Sequence, residues 1–256
     1  MTVTTDCPKR CPATDISVLI VGAGVAGLMA ALECWRNGHE VRIIERSPEQ
    51  VTTGESLSHR MPPPKQSISN HPPGDSFTIG PSAIRALNHW PKMVEENEKI
   101  AHNPTISFHS VNGTRATAPK HIDYTQGQDS KNVPERVHRH WRPQYHDMLS
   151  KQLSTVGINV EYGHKAVEYF EDGPTGRGGI VLENGDRIDA DVIVAADGIG
   201  SRSTRATMGR EIQARPSGEA MYRTAFPVEI AMADPVVRER FPVVEGNEGP
   251  IELWIG

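Results

Sequence analysis

Ile16-Ser17-Val18-Leu19-Ile20-Val21 runs directly into Gly22-Ala23-Gly24-Val25-Ala26-Gly27, and this junction decides the fold. Residues 16–21 have the length and composition of a strand buried on both faces of a parallel sheet. The glycines end it. Beyond them Val25, Leu28, Met29, Leu32 and Trp35 recur at helical spacing until Asn37-Gly38 supplies a stop. Residues 41–45 then read as a second strand. Strand, glycine turn, helix and strand within about thirty residues make a βαβ unit, whose crossover is right-handed.

The glycines match G-x-G-x-x-G in the context that gives that spacing meaning. Gly22 permits the tight turn, Gly24 lets a pyrophosphate approach the backbone, and Gly27 lets the helix pack on the strand, with Ala23 and Ala26 in the same loop. Free N–H groups and the helix dipole favour phosphate at that helix start. Glu45 stands 23 residues after Gly22, where a carboxylate accepts both hydroxyls of an adenosine ribose and repels a 2′-phosphate. The fingerprint does not separate FAD from NAD, because both present an ADP half to the same loop.

Outward from this unit, composition sets bounds. The 256 residues are 37% hydrophobic and 23% charged, which suits a globular chain of one large domain or a domain plus part of another. A net charge of −5 with no long basic block removes the electrostatic footprint of nucleic-acid binding. Cys7, Cys11 and Cys34 are odd in number and lack C-x-x-C spacing, so neither a disulfide framework nor a zinc knuckle is expected. Residues 1–15 have no apolar secretory core, and free thiols suit a reducing compartment, so the expected location is cytoplasmic. Residues 16–32 are uncharged and just long enough to mimic a membrane span, but the glycine turn splits them into two short elements. No membrane span is expected.

Residues 51–76 interrupt the regular pattern with Pro62, Pro63, Pro64, Pro72 and Pro73 among small polar residues, and read as a long mobile insertion. A strand at 77–79 and helices at 82–90 and 92–99 follow. Segments 105–111 and 114–118 flank Asn112-Gly113 and predict a type I′ hairpin. A helix at 144–156 leads to a strand at 158–162 and then a meander over 166–170, 179–182 and 187–188. The run from Asp191 to Ala196 is a further buried strand, stopped by Asp197-Gly198. His138, His140 and His146 cluster in sequence without paired helical ligand spacing, and read as a polar loop with anion affinity, so no metal is expected.

The stretch Ala196-Asp197-Gly198 with Ser201 and Arg205 resembles the second fingerprint of FAD-dependent aromatic hydroxylases of the para-hydroxybenzoate and salicylate hydroxylase type. Ser201 and Arg205 fall within one residue of the family spacing. Glu45-Arg46, Gly80-Pro81-Ser82-Ala83 with Leu87, and Arg142-x-x-Tyr145-x-x-x-Leu149 agree with that resemblance. It implies an α/β, Rossmann-like FAD-binding domain with a parallel sheet, plus an incomplete mixed substrate-domain sheet. It also implies FAD as cofactor, NAD(P)H and O2 as co-substrates, and a phenolic or salicylate-like aromatic substrate.

By the same resemblance, Asp197 and Gly198 lie beside the flavin chain, and Arg46 and Arg142 meet the phosphate and ribityl region, with Arg139 the competitor to Arg142. Arg223, in Met221-Tyr222-Arg223, would face the substrate side as the catalytic cation. The expected layout is a polar tail at 1–15, the FAD-binding domain at 16–102 and 126–215, and substrate-domain sheet at 103–125 and 216–256. Family chains run well over a hundred residues longer. The expectation is a truncated chain whose exposed sheet edge a homo- or hetero-oligomer would cover. The alternative is a catalytically silent nucleotide-binding remnant or partner-dependent subunit.

Overall fold

A computed structural model describes residues 8–50, 76–121, 138–212, 215–219, 228–241 and 250–255. Residues 51–75 of the proline-rich insertion expected at 51–76 and the Met221-Tyr222-Arg223 segment lie outside the described residues, while Ser76 begins a strand. In chain order the first elements are β1 (Ser17–Val21), α1 (Val25–Arg36), β2 (Glu40–Ile44), β3 (Ser76–Ile79), α2 (Pro81–Leu87) and α3 (Pro91–Ile100). β4 (Thr105–Ser110), β5 (Lys120–His121), β6 (His138–Trp141), α4 (Arg142–Thr155), β7 (Val160–Glu161) and β8 (Ala166–Asp172) follow. The chain continues through β9 (Arg177–Leu182), β10 (Arg187–Ala190), β11 (Val192–Ala195), α5 (Thr204–Met208), α6 (Val228–Met232), α7 (Pro235–Arg240) and β12 (Pro250–Ile255). These fall into two compact units, residues 1–52 with 145–222 and residues 53–144 with 223–256, the division passing through α4.

The first unit is the α/β part. Its sheet runs β11-β1-β2-β7, and every pairing in it is parallel. β1 lies inside that sheet, and Val18, Leu19, Ile20 and Val21 are all 3% exposed or less. An unbroken apolar strand with two covered faces is what that burial requires. On one face Leu19, Val21 and Ile44 join Ile180, Leu182 and Ala190 of the antiparallel β10-β9-β8 layer in one apolar cluster. α1 packs on β1 and β2, with Leu28, Ala31 and Leu32 wholly buried. β11 and β7 form the edges of this sheet among the described residues.

The second unit holds a β12-β4-β5 sheet, with β12 parallel and β5 antiparallel to β4, and the antiparallel β3-β6 pair. Trp90, Leu87 and Met93 form the buried apolar side of α2 and α3. The expected 114–118 strand is not formed. β4 pairs instead with β5, and only an isolated bridge joins His109 to Arg115. The turn between them is not type I′, since Gly113 alone takes a positive φ, +86°. Asn112 Oδ1 accepts from the Thr114 amide at 2.9 Å and from the Ser110 hydroxyl, closing the loop with its side chain and leaving Asn112 out of the left-handed region.

The histidine-rich polar loop is likewise corrected. His138 and His140 sit on β6, paired with Ile79 and Phe77, and are 1% and 0% exposed. Asn97 Nδ2 donates to His138 Nδ1 at 2.9 Å, so a polar partner on α3 lets a strand of polar residues be buried.

Candidate dinucleotide-binding site

The two glycine bends of the first unit meet. Ala196 N donates to Val21 O at 2.8 Å, continuing the β1-β11 ladder, and brings Ala196-Asp197 alongside Gly22. Gly22 has φ +104°, and a Cβ there would lie 2.5 Å from Ala196 O. A side chain is excluded on both counts. At Gly27 a Cβ would lie 1.8 Å from Gly22 O, so the glycine is what allows α1 to sit against the end of β1. Gly24 differs. Its φ is −71°, no side chain caps α1, and a Cβ there would meet nothing within 4 Å. Open space at an uncapped helix start, with amides facing it, is a cradle for an anion.

Glu45 follows β2 directly and is half-buried. Its Oε2 accepts from the Ala23 amide at 2.9 Å, and its Oε1 accepts from both the amide and hydroxyl of Ser47 at 3.0 Å. A carboxylate offers about four acceptor positions. Ala23 and Ser47 take three of them, so bidentate capture of a ribose diol requires Ser47 to turn away. Glu45 therefore has a second task that the sequence did not reveal, which is pinning the glycine loop.

His146, expected in a polar loop with anion affinity, lies instead on α4 and takes a role the sequence reading did not give it. Its Nε2 donates to Ala23 O at 2.7 Å, and its Nδ1 receives Ser150 Oγ at 3.4 Å. Ala23, 5% exposed, is thus held through its N–H by Glu45 and through its carbonyl by His146. Only three-dimensional proximity could have found this pair, since 123 residues separate them.

At the second bend Gly198 takes φ +84°. Asp197 is half-buried, and its Oδ1 is enclosed without a hydrogen-bond partner. The Tyr169 hydroxyl is enclosed nearby and also lacks a bond of normal geometry. Burial, then close approach to the Asp197 carboxylate as a hydrogen-bonding neighbour and as a charge, pushes that phenol far above its ordinary range. An orphaned carboxylate oxygen at the end of β11 is the acceptor that a polyol hydroxyl would satisfy. With the cradle at Gly24, the residues present fit an FAD-like dinucleotide.

Other expected site residues fall elsewhere. Arg46 is exposed beside Glu45, and Arg142 is exposed at the start of α4 in the second unit's stretch of chain. Arg139 lies on β6 and donates to Ser76 Oγ at 2.6 Å. Arg223 is outside the described residues. A cavity of about 360 Å³ lies on β8, β9, β11 and α5, lined by Tyr169, Phe170, Arg177, Ile193, Ala195 and Ser203 among others, and contains no residue of the glycine loop. Among the described residues no group of three His, Cys, Asp or Glu is placed to hold a metal ion. None of the described helices is long and apolar enough to cross a membrane.

A Rossmann-like α/β unit with an open glycine loop, a carboxylate that tethers it and a second Asp-Gly bend alongside defines a dinucleotide-binding fold. Comparisons with known proteins agree. Residues 17–57 match the FAD binding domain family. The chain is 39% identical over 252 residues to the FAD-dependent monooxygenase fsr3 of Gibberella fujikuroi, covering 96% of this chain and 44% of that protein. It is 38% identical over 258 residues to the FAD-dependent monooxygenase dmxR9 of Cryptosporiopsis sp., covering 100% of this chain and 46% of that one.

Among solved structures, CtdE in complex with FAD and its substrate 4 superposes with TM-score 0.60 at 26% identity, over 80% of this chain and 43% of CtdE. The 2-methyl-3-hydroxypyridine-5-carboxylic acid oxygenase shares the fold, with TM-score 0.53 at 23% identity over 74% of this chain and 41% of that enzyme. The resemblance to FAD-dependent monooxygenases therefore extends along nearly the whole sequence, and the chain spans about half the length of the curated relatives it matches.

Proposed function

We propose that this chain is part of an FAD-dependent monooxygenase that hydroxylates a phenolic or salicylate-like aromatic molecule with NAD(P)H and O2, in the cytoplasm. The observation that carries the reading is the contact between the two bends: a Cβ on Gly22 would lie 2.5 Å from Ala196 O, so the cradle and the Asp197 turn edge one site. When bound, FAD supplies hydride acceptance and oxygen activation. The chain's residues bind and orient. The amides at the start of α1, around Gly24, hold the diphosphate, and the open space there leaves room for it. Glu45 accepts from the adenosine ribose while keeping Ala23 in place. Asp197, with Gly198, takes a hydroxyl of the flavin chain on its orphaned Oδ1.

Arg46 and Arg142 on the phosphate and ribityl side, and Arg223 as a cation facing the substrate, are roles proposed from the resemblance. So is the division into an FAD-binding domain at 16–102 and 126–215 and substrate-domain sheet at 103–125 and 216–256. A homo- or hetero-oligomer covering an exposed sheet edge belongs to the same proposal.

The test is to purify the chain, record its visible flavin spectrum with and without added FAD, and measure NAD(P)H oxidation and hydroxylated product with phenolic substrates. Bound flavin with substrate-stimulated NAD(P)H oxidation is expected. A colourless chain that neither takes up FAD nor oxidises NAD(P)H would falsify the enzyme reading and leave a silent nucleotide-binding remnant.

A further inference from the structure

The second glycine bend is met from the antiparallel layer by a tyrosine that the flavin reading leaves unused. Tyr169 lies in the middle of β8, opposite Ile180 of β9, and packs on the apolar cluster between the layers, as Ile193 of β11 does. Its hydroxyl lies within interaction range of both the Asp197 carboxylate and the Ser201 hydroxyl. Arg202 Nη1 donates to Val167 O at 3.3 Å, so the turn that follows Asp197-Gly198 is also tied to β8, two residues from Tyr169. All of these residues belong to the first unit.

The polar groups that meet there have unequal needs. Ser201 is satisfied: its amide donates to Gly198 O at 3.0 Å, and its hydroxyl donates to Ser203 Oγ at 2.9 Å and accepts from the Ser203 amide at 3.2 Å. Asp197 Oδ1 and the Tyr169 hydroxyl are both enclosed, and both lack a hydrogen bond of normal geometry. A phenol has one proton to give. Of the two acceptors in range, the serine oxygen already accepts, whereas the carboxylate is charged and makes the stronger bond. A phenylalanine would fill the same apolar space without enclosing a hydroxyl, and an enclosed hydroxyl works against stability unless it is used.

We infer that Tyr169 is a positioning residue: its hydroxyl donates to Asp197 and holds that carboxylate aimed for a ligand hydroxyl, while Tyr169 itself touches no ligand. As a device for flavin binding this rests on the proposed function; as a hydrogen bond between Tyr169 and Asp197 it stands on the geometry of the bend. A carboxylate offers about four acceptor positions, so one taken by Tyr169 fixes the side chain's direction and leaves others open. The gain lies in ordering. A carboxylate without a donor must be immobilised when the ligand arrives, whereas one already held loses little freedom. The first bend is held on the same plan, by Glu45 and His146 on Ala23, so both bends are fixed from neighbouring elements.

The test is a double-mutant cycle in the full chain, with FAD affinity read by flavin-fluorescence titration and folding by thermal melting. Tyr169→Phe is expected to melt near the wild type and to weaken FAD about tenfold, the scale of one hydrogen bond to a charged group. In an Asp197→Ala background the same change should cost at most ~2-fold, because no carboxylate is left to aim. Unchanged affinity in Tyr169→Phe overturns the inference. So does an equal loss with and without Asp197, which is the signature of a residue that merely packs. The hydrogen bond has its own readout, independent of flavin. With the five tyrosines isotopically labelled at the phenolic carbon, one NMR signal should vanish in Tyr169→Phe, and the same signal should shift in Asp197→Ala. No tyrosine signal shifting in Asp197→Ala overturns the inference even where Tyr169→Phe fails to fold. A chain that takes up no FAD while that signal shifts sinks the flavin reading and upholds the Tyr169–Asp197 bond. FAD uptake that is insensitive to Tyr169→Phe sinks this inference alone.

Discussion

Gly24→Ala separates folding from binding at the cradle. The φ of −71° is one that any residue adopts, and the added methyl meets no atom within 4 Å. The substitution should be neutral to folding, or stabilising by about 0.4–1 kcal/mol through the stiffer unfolded chain. The same methyl occupies the space a diphosphate needs in order to approach the amides at the start of α1. If two charge-assisted N–H bonds are lost at about 1.5 kcal/mol each, FAD affinity falls roughly 100-fold.

Gly27→Ala is the counterpart. Its Cβ would sit 1.8 Å from the Gly22 carbonyl oxygen, a backbone atom that cannot swing aside. Overpacking of this kind costs about 1–3 kcal/mol or more, and each kcal/mol lowers Tm by roughly 2–4 °C in a chain of this size. The assays are a flavin-fluorescence titration and thermal melting followed by circular dichroism. Opposite signatures are expected: intact Tm with weakened FAD for Gly24→Ala, and lowered Tm for Gly27→Ala. A Gly24→Ala chain that binds FAD like the wild type would refute the cradle. So would one that melts as early as Gly27→Ala.

The neighbouring residues make further predictions. Glu45→Ala removes both the proposed ribose acceptor and the tether on Ala23 and should weaken FAD by ~10-fold or more, whereas Ser47→Ala frees an acceptor position and should leave affinity equal or improved in the same titration. His146→Phe deletes the donor to Ala23 O at 2.7 Å. It should lower Tm by several degrees, at about 1–3 kcal/mol for a buried carbonyl left unpaired, and raise the FAD dissociation constant. Asp191 is held below the usual carboxylate range by hydrogen bonds from the Ser17 hydroxyl and then the Ser17 amide. A depressed native value means its stabilising contribution is present above the unfolded value of about 3.9 and is lost as pH falls through the native one. Asp191→Asn should therefore flatten the acid limb of a Tm-against-pH curve, and an unchanged limb would show the β1-β11 junction to be insensitive to this charge.

What was legible in the sequence, and what was not, follows from how local each cause is. β1, the glycine loop and α1 were readable because burial of β1 on both faces demands an unbroken apolar run, and the bends demand glycine at fixed spacing; β11 was found as a strand by its apolar run, but among the described residues it is an edge strand with exposed ends and not the buried strand expected. The second Asp-Gly bend was readable as a resemblance, but its contact with Gly22 is a consequence of β1 pairing with β11 across more than 170 residues. β6 defeated the same reasoning. His-Arg-His-Trp has no alternating apolar signal, and its histidines are buried only because Asn97 and β3 meet them from sites 41 to 63 residues earlier. The hairpin at Asn112-Gly113 went astray for a related reason: the asparagine side chain took over the turn's hydrogen bonding.

The same distinction explains the loop's two clamps. Glu45 was visible because strand geometry fixes where a βαβ carboxylate lies, while His146 was not, because nothing about a histidine early in a helix says which carbonyl it will meet. A peptide unit gripped from its N–H side and its carbonyl side by two different elements cannot rotate without breaking one bond. The amides that follow it are therefore already aimed before any phosphate arrives, and loss of the His146 clamp should reduce affinity chiefly through slower, less productive association and a looser loop rather than through any contact with the ligand itself.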